Sequence, residues 1–157
     1  MNPEYSSSVL FVKDIERSKK FYCDILGQKI EYDFGKNIMF KNGLSIWELN
    51  PKHHIPDLCG KPDEASPPRF EIYFETEDLD EITKQLKLNK VRFVHDIIEE
   101  PWGQRTVRFF DSDNHLIETG EKMKVFAGRI YEKVKSLEKT SERTGISIPD
   151  LKKILFL

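Results

Sequence analysis

Cysteine is scarce in this chain of 157 residues: only Cys23 and Cys59 are present. Two thiols cannot build the disulfide framework of a small secreted domain, and they fit a reducing compartment. Charge of one sign is also missing, since 25 Lys and Arg stand against 27 Asp and Glu for a net charge of −2. No strong field therefore advertises nucleic acid or an anionic lipid surface as a partner. No run reaches the roughly 18 apolar residues of a membrane-spanning helix. The opening MNPEYSSSVLFVKD lacks the apolar stretch of a signal peptide, so a cytoplasmic location is the expectation. Hydrophobic residues at 38% and 11 phenylalanines nevertheless supply enough apolar surface for a packed core.

What is present has an order, and the order recurs. Val9–Val12 is a short β-rich run, and Asp14 follows with the chemistry of a helix N-cap. Ile15, Ser18, Phe21, Tyr22, Ile25 and Leu26 then share one helical stripe. Gly27 stands where a left-handed C-cap belongs, which predicts a helix of about 13 residues. Alternating runs at Lys29–Phe34, Ile38–Phe40 and Leu44–Glu48 read as strands, with Asn42-Gly43 as a hairpin turn. Residues 50–68, with Pro51, Pro56, Gly60, Pro62, Pro67, Pro68, His53 and His54, read as a linker.

The plan then restarts. Phe70–Glu75 alternates as a strand, Asp78 repeats the capping role of Asp14, and Leu79, Ile82 and Leu86 form a helical stripe. Strands follow at Val91–Val94, Thr106–Phe110 and His115–Glu118, the last two joined by the turn-rich Asp111–Asn114. Two stretches of β-α-β-β-β thus begin about 64 residues apart, from Asp14 to Asp78. The expected fold is α+β: two βαβββ modules, residues 5–49 and 69–120, whose curved mixed sheets line a cup. A helical extension follows at 122–157. Phe126, Ile130, Val134 and Leu137 mark its first helix, Ser136 caps a second, Gly145 stops it, and Ile148-Pro149-Asp150 opens a third.

Two motifs carry a resemblance. Val12-x-Asp14-Ile15-x-x-Ser18-x-x-Phe21-Tyr22-x-x-x-Leu26-Gly27 resembles the opening of the vicinal oxygen chelate superfamily. Pro101-Trp102-Gly103-x-Arg105-x-x-x-Phe109-x-Asp111-x-Asp113-x-x-x-Ile117-Glu118 resembles the same superfamily's closing hairpin. That superfamily covers glyoxalase I, bleomycin and fosfomycin resistance proteins and extradiol dioxygenases. The resemblance spans residues 5–120 and implies a divalent metal held at four positions. Carried over, these are Ser7, Glu48, Glu71 and Glu118, three carboxylates and a serine where the family usually has His or Gln. Three converging carboxylates repel, so they need a cation, a shared proton or an arginine. Mg²⁺ or Mn²⁺ suits oxygen ligands better than Zn²⁺ or Ni²⁺. If Asp111 faces His115 across the turn, Arg108 lies opposite Glu118, where an ion pair would take the place of a metal.

Two functional readings stand side by side. In the first, the chain is a metal-dependent lyase or isomerase, with Glu48, Glu71 and Glu118 on the ion and Glu71 or Glu118 as the catalytic base. In the second, it is a metal-free sequestering protein of the resistance type. There Phe11 and Trp102 stack on a small molecule while Arg105 or Arg108 meets its anionic group. Both readings include a homodimer. A third, a regulatory protein using the helix-turn-helix-like segment Ser136–Ile154, weighs least. Its last helix ends in apolar residues rather than base-reading polar ones, which disfavours nucleic acid. His115 reads as a solvated turn residue, and neither Cys23 nor Cys59 has a base at a recognisable spacing.

Overall fold

The computed structural model describes residues 5–53 and 71–157. His54, Cys59, Arg69 and Phe70 lie outside the described residues. The chain divides into two compact units, residues 5–53 with Asp111–His115, and residues 71–110 with 116–157.

In the first unit, β1 (Ser8–Phe11), α1 (Ile15–Lys20), β2 (Ile30–Asp33), β3 (Asn37–Phe40) and β4 (Leu44–Trp47) follow the expected order. The sheet runs β1-β4-β3-β2, with β1 parallel to β4 and the other pairs antiparallel. A parallel neighbour requires a crossover, and α1 provides it. Asp14 caps α1 by accepting from the Arg17 amide at 2.9 Å. The helix does not continue as one regular α-helix to Gly27, as the spacing predicts. Residues 21–25 form a wider π turn, in which the Leu26 amide donates to the Phe21 carbonyl. Both adjacent aromatics are buried there, with ring centroids 5.2 Å apart. Gly27 does take the left-handed conformation, at φ +64°. Leu10, Ile38, Phe40 and Ile46 fill the core beneath this helix.

Asp111–His115 completes this unit as the turn between two later strands. Buried Asp111 accepts from the Tyr22 hydroxyl at 2.9 Å and from the backbone amides of Asp113 and His115. The Nδ1 of His115 lies 2.8 Å from Asp111, so this histidine is pinned to a carboxylate rather than solvated. Burial alone would raise the Asp111 carboxyl, but His115 and the two amides outweigh it and hold the group below the usual carboxylate range.

In the second unit, β5 (Ile72–Thr76), α2 (Leu79–Leu88), β6 (Arg92–Glu99), β7 (Arg105–Phe110) and β8 (Leu116–Glu121) repeat the plan in the order β5-β8-β7-β6. Asp78 caps α2 by accepting from the Glu81 amide. The strand β6 runs to Glu99, beyond the predicted Val91–Val94. Register shifts near His95 break the period of two that marks a strand in sequence. Val107, Phe109 and Ile117 are fully buried on the α2 side of the sheet.

The extension folds as α3 (Met123–Val134), α4 (Leu137–Thr144) and α5 (Ile148–Leu155). Leu137 does not belong to the first of these, because Lys135 turns left-handed at φ 52° and Leu137 opens the next helix. Ser136 and Ser147 cap α4 and α5, and Phe126, Ala127, Ile130 and Leu151 are buried. Among the described residues no helix is long and apolar enough to cross a membrane.

Candidate functional site: a guanidinium among three carboxylates

Strand alternation sorts the second sheet into two faces. Val107, Phe109 and Ile117 point to α2, so Arg108 and Glu118 point the other way. They are register partners across β7 and β8, as the hairpin reading requires. Tyr73 on β5 is the partner of Glu118 on its other side, and Glu71, two residues earlier, shares that face. His95 on β6 is the partner of Arg108. Residues far apart in sequence thus converge because each strand turns alternate side chains outward.

Arg108 is the hub. Its Nε donates to Glu71 at 3.0 Å, its Nη1 donates to Glu100 at 2.9 Å, and its Nη2 contacts Glu118. The Nε2 of His95 lies 3.4 Å from Nη1. Glu100 also accepts from the Thr106 hydroxyl at 3.1 Å.

Glu118 is the most enclosed of the acids, its side chain only 5% exposed. Burial raises its carboxyl to about 7 against the pull of Arg108, and the charge of Glu71 and a hydrogen bond with it raise it further. Glu100 shifts the other way, held below the usual range by its hydrogen bond to Arg108. Burial opposes the charge on Arg108, yet Glu100 and Glu71 outweigh it and keep the guanidinium firmly protonated. Two acids of one type are thus pushed in opposite directions by their surroundings, the arrangement from which acid–base roles are made.

The four positions expected to hold a metal do not fit one ion. Ser7 and Glu48 stand at opposite ends of the parallel β1–β4 pair, in which Ser8 faces Leu44 and Phe11 faces Trp47. At a rise of about 3.3 Å per residue, five residues separate them by roughly 16 Å. Glu48 is committed elsewhere: Oε2 accepts from the Ile15 amide at the start of α1, and Oε1 pairs with Lys36 at 2.6 Å. Ser45 is the counterpart of Glu118, because Ser45 faces Val9 as Glu118 faces Tyr73. Ser7 and Ser45 share a hydrogen bond of 2.7 Å, where Glu71 and Glu118 both meet Arg108. The repeated position therefore holds two hydroxyls in the first unit and two carboxylates on an arginine in the second. Among the described residues no group of three His, Cys, Asp or Glu is placed to hold a metal. The cation already in contact with Glu71 and Glu118 is a guanidinium.

The residues expected to meet substrate are placed as follows. Arg105 is clamped by Asp80 through two bonds of 3.1 and 2.8 Å and lies near Glu121. Neither it nor Arg108 presents a guanidinium free of carboxylates, so the expected contact with an anionic ligand group meets local negative charge. Trp102 is 41% exposed, and its indole donates to Gln104 at 3.1 Å. The Gln104 amide in turn donates to the Tyr73 hydroxyl at 2.6 Å, on the Arg108 face. Phe11 belongs to the first unit, where it is exposed and lies 6.0 Å from the Trp47 ring. Glu100, His95, Tyr73 and Ser45 are given no site role by the sequence. A period of two would have placed Tyr73 on the Glu71 face, but nothing in the chain order marks Glu100.

Comparison with known proteins agrees with this architecture. A protein of unknown function from Agrobacterium tumefaciens str. C58 is 35% identical, with 78% of this chain and 97% of that chain covered and a TM-score of 0.66. The fosfomycin resistance protein FosX from Listeria monocytogenes is 23% identical over 78% of this chain and 96% of its own, with a TM-score of 0.58. A lactoylglutathione lyase from Agrobacterium tumefaciens is 20% identical over the same shares, with a TM-score of 0.54. The last two show the fold alone. No curated protein matches the chain. The model of the glyoxalase-like domain matches residues 5–124, and the chain belongs to this glyoxalase-like family of the vicinal oxygen chelate superfamily.

Proposed function

We propose that this glyoxalase-like protein binds a small polar molecule on the Arg108 face of its second sheet, with Glu118 exchanging a proton or hydrogen bond with it. One observation carries the reading. A nearly inaccessible carboxyl, pushed upward by burial, sits against an arginine and a second carboxyl, on the sheet face turned away from the helix. Three carboxylates against one guanidinium leave an excess of negative charge, which favours neutral or cationic ligand groups over anionic ones. Tyr73 and Trp102, linked through Gln104, are the aromatic surfaces beside it. The family's divalent ion has no part in this reading, because Arg108 holds the carboxylates that such an ion would need. A homodimer in a reducing compartment completes the proposal, in keeping with the two cysteines.

The test combines metal titration with fragment binding. Purified protein is titrated with Mn²⁺ and followed by electron paramagnetic resonance. Matched cationic, neutral and anionic fragments are then screened by NMR against the wild type and Glu118→Gln. Cationic and neutral fragments are expected to shift the resonances of Tyr73 and Arg108, and the Gln variant to lose the effect. Stoichiometric Mn²⁺ binding that disappears in Glu71→Ala and Glu118→Ala would replace this reading with the metal-dependent one. Preference for anionic fragments at these residues would overturn the assigned ligand class.

A further inference from the structure

The turn between β6 and β7 is held from two sides. Its own bonds are tight: the Gly103 amide donates to the Glu100 carbonyl at 2.7 Å, and the Glu100 amide donates to the Gln104 carbonyl at 2.8 Å. On one side, the Glu100 side chain reaches Arg108. On the other, the neighbouring Glu99 meets Arg129 and Arg143, each at 3.1 Å. These two arginines belong to α3 and α4, beyond residue 124 where the family match ends. Arg129 also donates to the Gly103 carbonyl at 2.6 Å and to Glu121 at 2.8 Å. Glu121 accepts from the backbone amide of Arg105, the first residue of β7. Packing reinforces the grip. Gly103 sits at φ +93°, and a Cβ there would come 2.4 Å from Ile130 Cδ1 of α3.

We infer that the C-terminal extension is a positioning device for the charged site: Arg129 fixes the 100–104 turn and thereby holds Glu100 on Arg108. The chain of contacts is continuous, from α3 to the Gly103 carbonyl, through the turn to Glu100, and from Glu100 to the arginine that touches Glu118. An arginine suits the task because its planar fork serves a carbonyl and two carboxylates at once, which a lysine ammonium cannot copy. The groups facing Glu118 are Glu71 ahead of β5, Tyr73 on β5, Arg108 on β7 and Glu100 from the turn. His95 on β6 faces Glu100 and Arg108. Withdrawing Glu100 removes a negative charge near Glu118 and leaves Arg108 more fully available to it. Both effects ease the ionisation of Glu118.

The inference rests on the proposed role of the Arg108 cluster, but its test needs no ligand. Carboxyl ¹³C chemical shifts of glutamate-labelled full-length protein follow the Glu118 titration, assigned through Glu118→Gln. The midpoint is expected to fall by roughly half to one pH unit in Glu100→Gln, and by a similar amount in Arg129→Ala. The double variant is expected to fall no further than either single change, because both act through one contact. Arg129→Lys should restore only part of the shift. Arg143→Ala, which removes a more exposed contact to Glu99, gives a smaller shift and keeps the inference testable if Arg129→Ala does not fold. A folded Arg129→Ala with lowered thermal stability and an unchanged Glu118 midpoint would reduce the extension to a structural brace and overturn the inference. Additive shifts in the double variant would also overturn it. Neither result bears on whether the cluster binds a ligand, which the fragment screen decides separately.

Discussion

Replacing Glu118 by Gln should make the protein more stable above neutral pH, although a charged contact to Arg108 is removed. The folded state raises this carboxyl from an ordinary 4.5 to about 7. At about 1.4 kcal/mol per pH unit, that is roughly 3 kcal/mol of preference for the protonated form. The sign follows from proton counting. Between pH 4.5 and 7 the folded state keeps a proton that the unfolded state has lost, so stability falls as pH rises. The contribution of Glu118 is fully present below pH 4.5 and is lost by about pH 7. Glutamine has nearly the shape of the protonated acid and does not titrate. The variant should therefore match the wild type near pH 4.5 and exceed it by about 3 kcal/mol at pH 8. For a chain of this size that corresponds to about 6–12 °C in melting temperature. Circular dichroism melts of both proteins at pH 4.5, 6 and 8 measure it, and the difference between them isolates this group from the other carboxylates. A variant that loses the same stability at pH 4.5 and pH 8 would show that Glu118 is ionised throughout and that the raised carboxyl is wrong.

Arg108→Met should cost about 3 kcal/mol or more at pH 8, because it leaves buried Glu118 and two further carboxylates without their cation. The loss should shrink as pH falls to 5, a trend that urea titration can follow. Tyr22→Phe removes a donor from buried Asp111 and should cost about 1–3 kcal/mol, with faster amide exchange confined at first to residues 111–115. Gly103→Ala combines a left-handed backbone with a Cβ too close to Ile130, and it should destabilise by about 1–3 kcal/mol. Gly27→Ala shares the strained backbone, at φ +64°, but meets nothing within 4 Å, so the smaller of the two losses should be its own.

Much of the architecture could be read from the chain because its signals are local. Asp14, Asp78 and Ser136 cap helices by reaching amides three residues on, and Gly27 and Gly145 turn left-handed where their helices end. Such contacts depend on near neighbours alone, so composition and spacing reveal them. The pairing of Arg108 with Glu118 was legible for a related reason, since a short turn sets the register of its two strands. Glu48 shows where this reasoning stops. Counting to the end of a strand put a carboxylate in the site. In fact β4 ends at Trp47, and the following residue serves the Ile15 amide at the start of α1 and the Lys36 ammonium.

The amino-acid sequence by itself determined the two βαβββ repeats, their caps and turns, the family, and the pairing of Arg108 with Glu118. Only the tertiary structure decided what neutralises the acids. Glu100 comes to Arg108 from a turn, Ser45 rather than Glu48 occupies the place that Glu118 holds in the second unit, and Arg129 grips Gly103 from a helix beyond the family domain. Those encounters join segments whose separation along the chain carries no period. They arise when strands pair and helices pack, and burial then sets the charge that each group can hold.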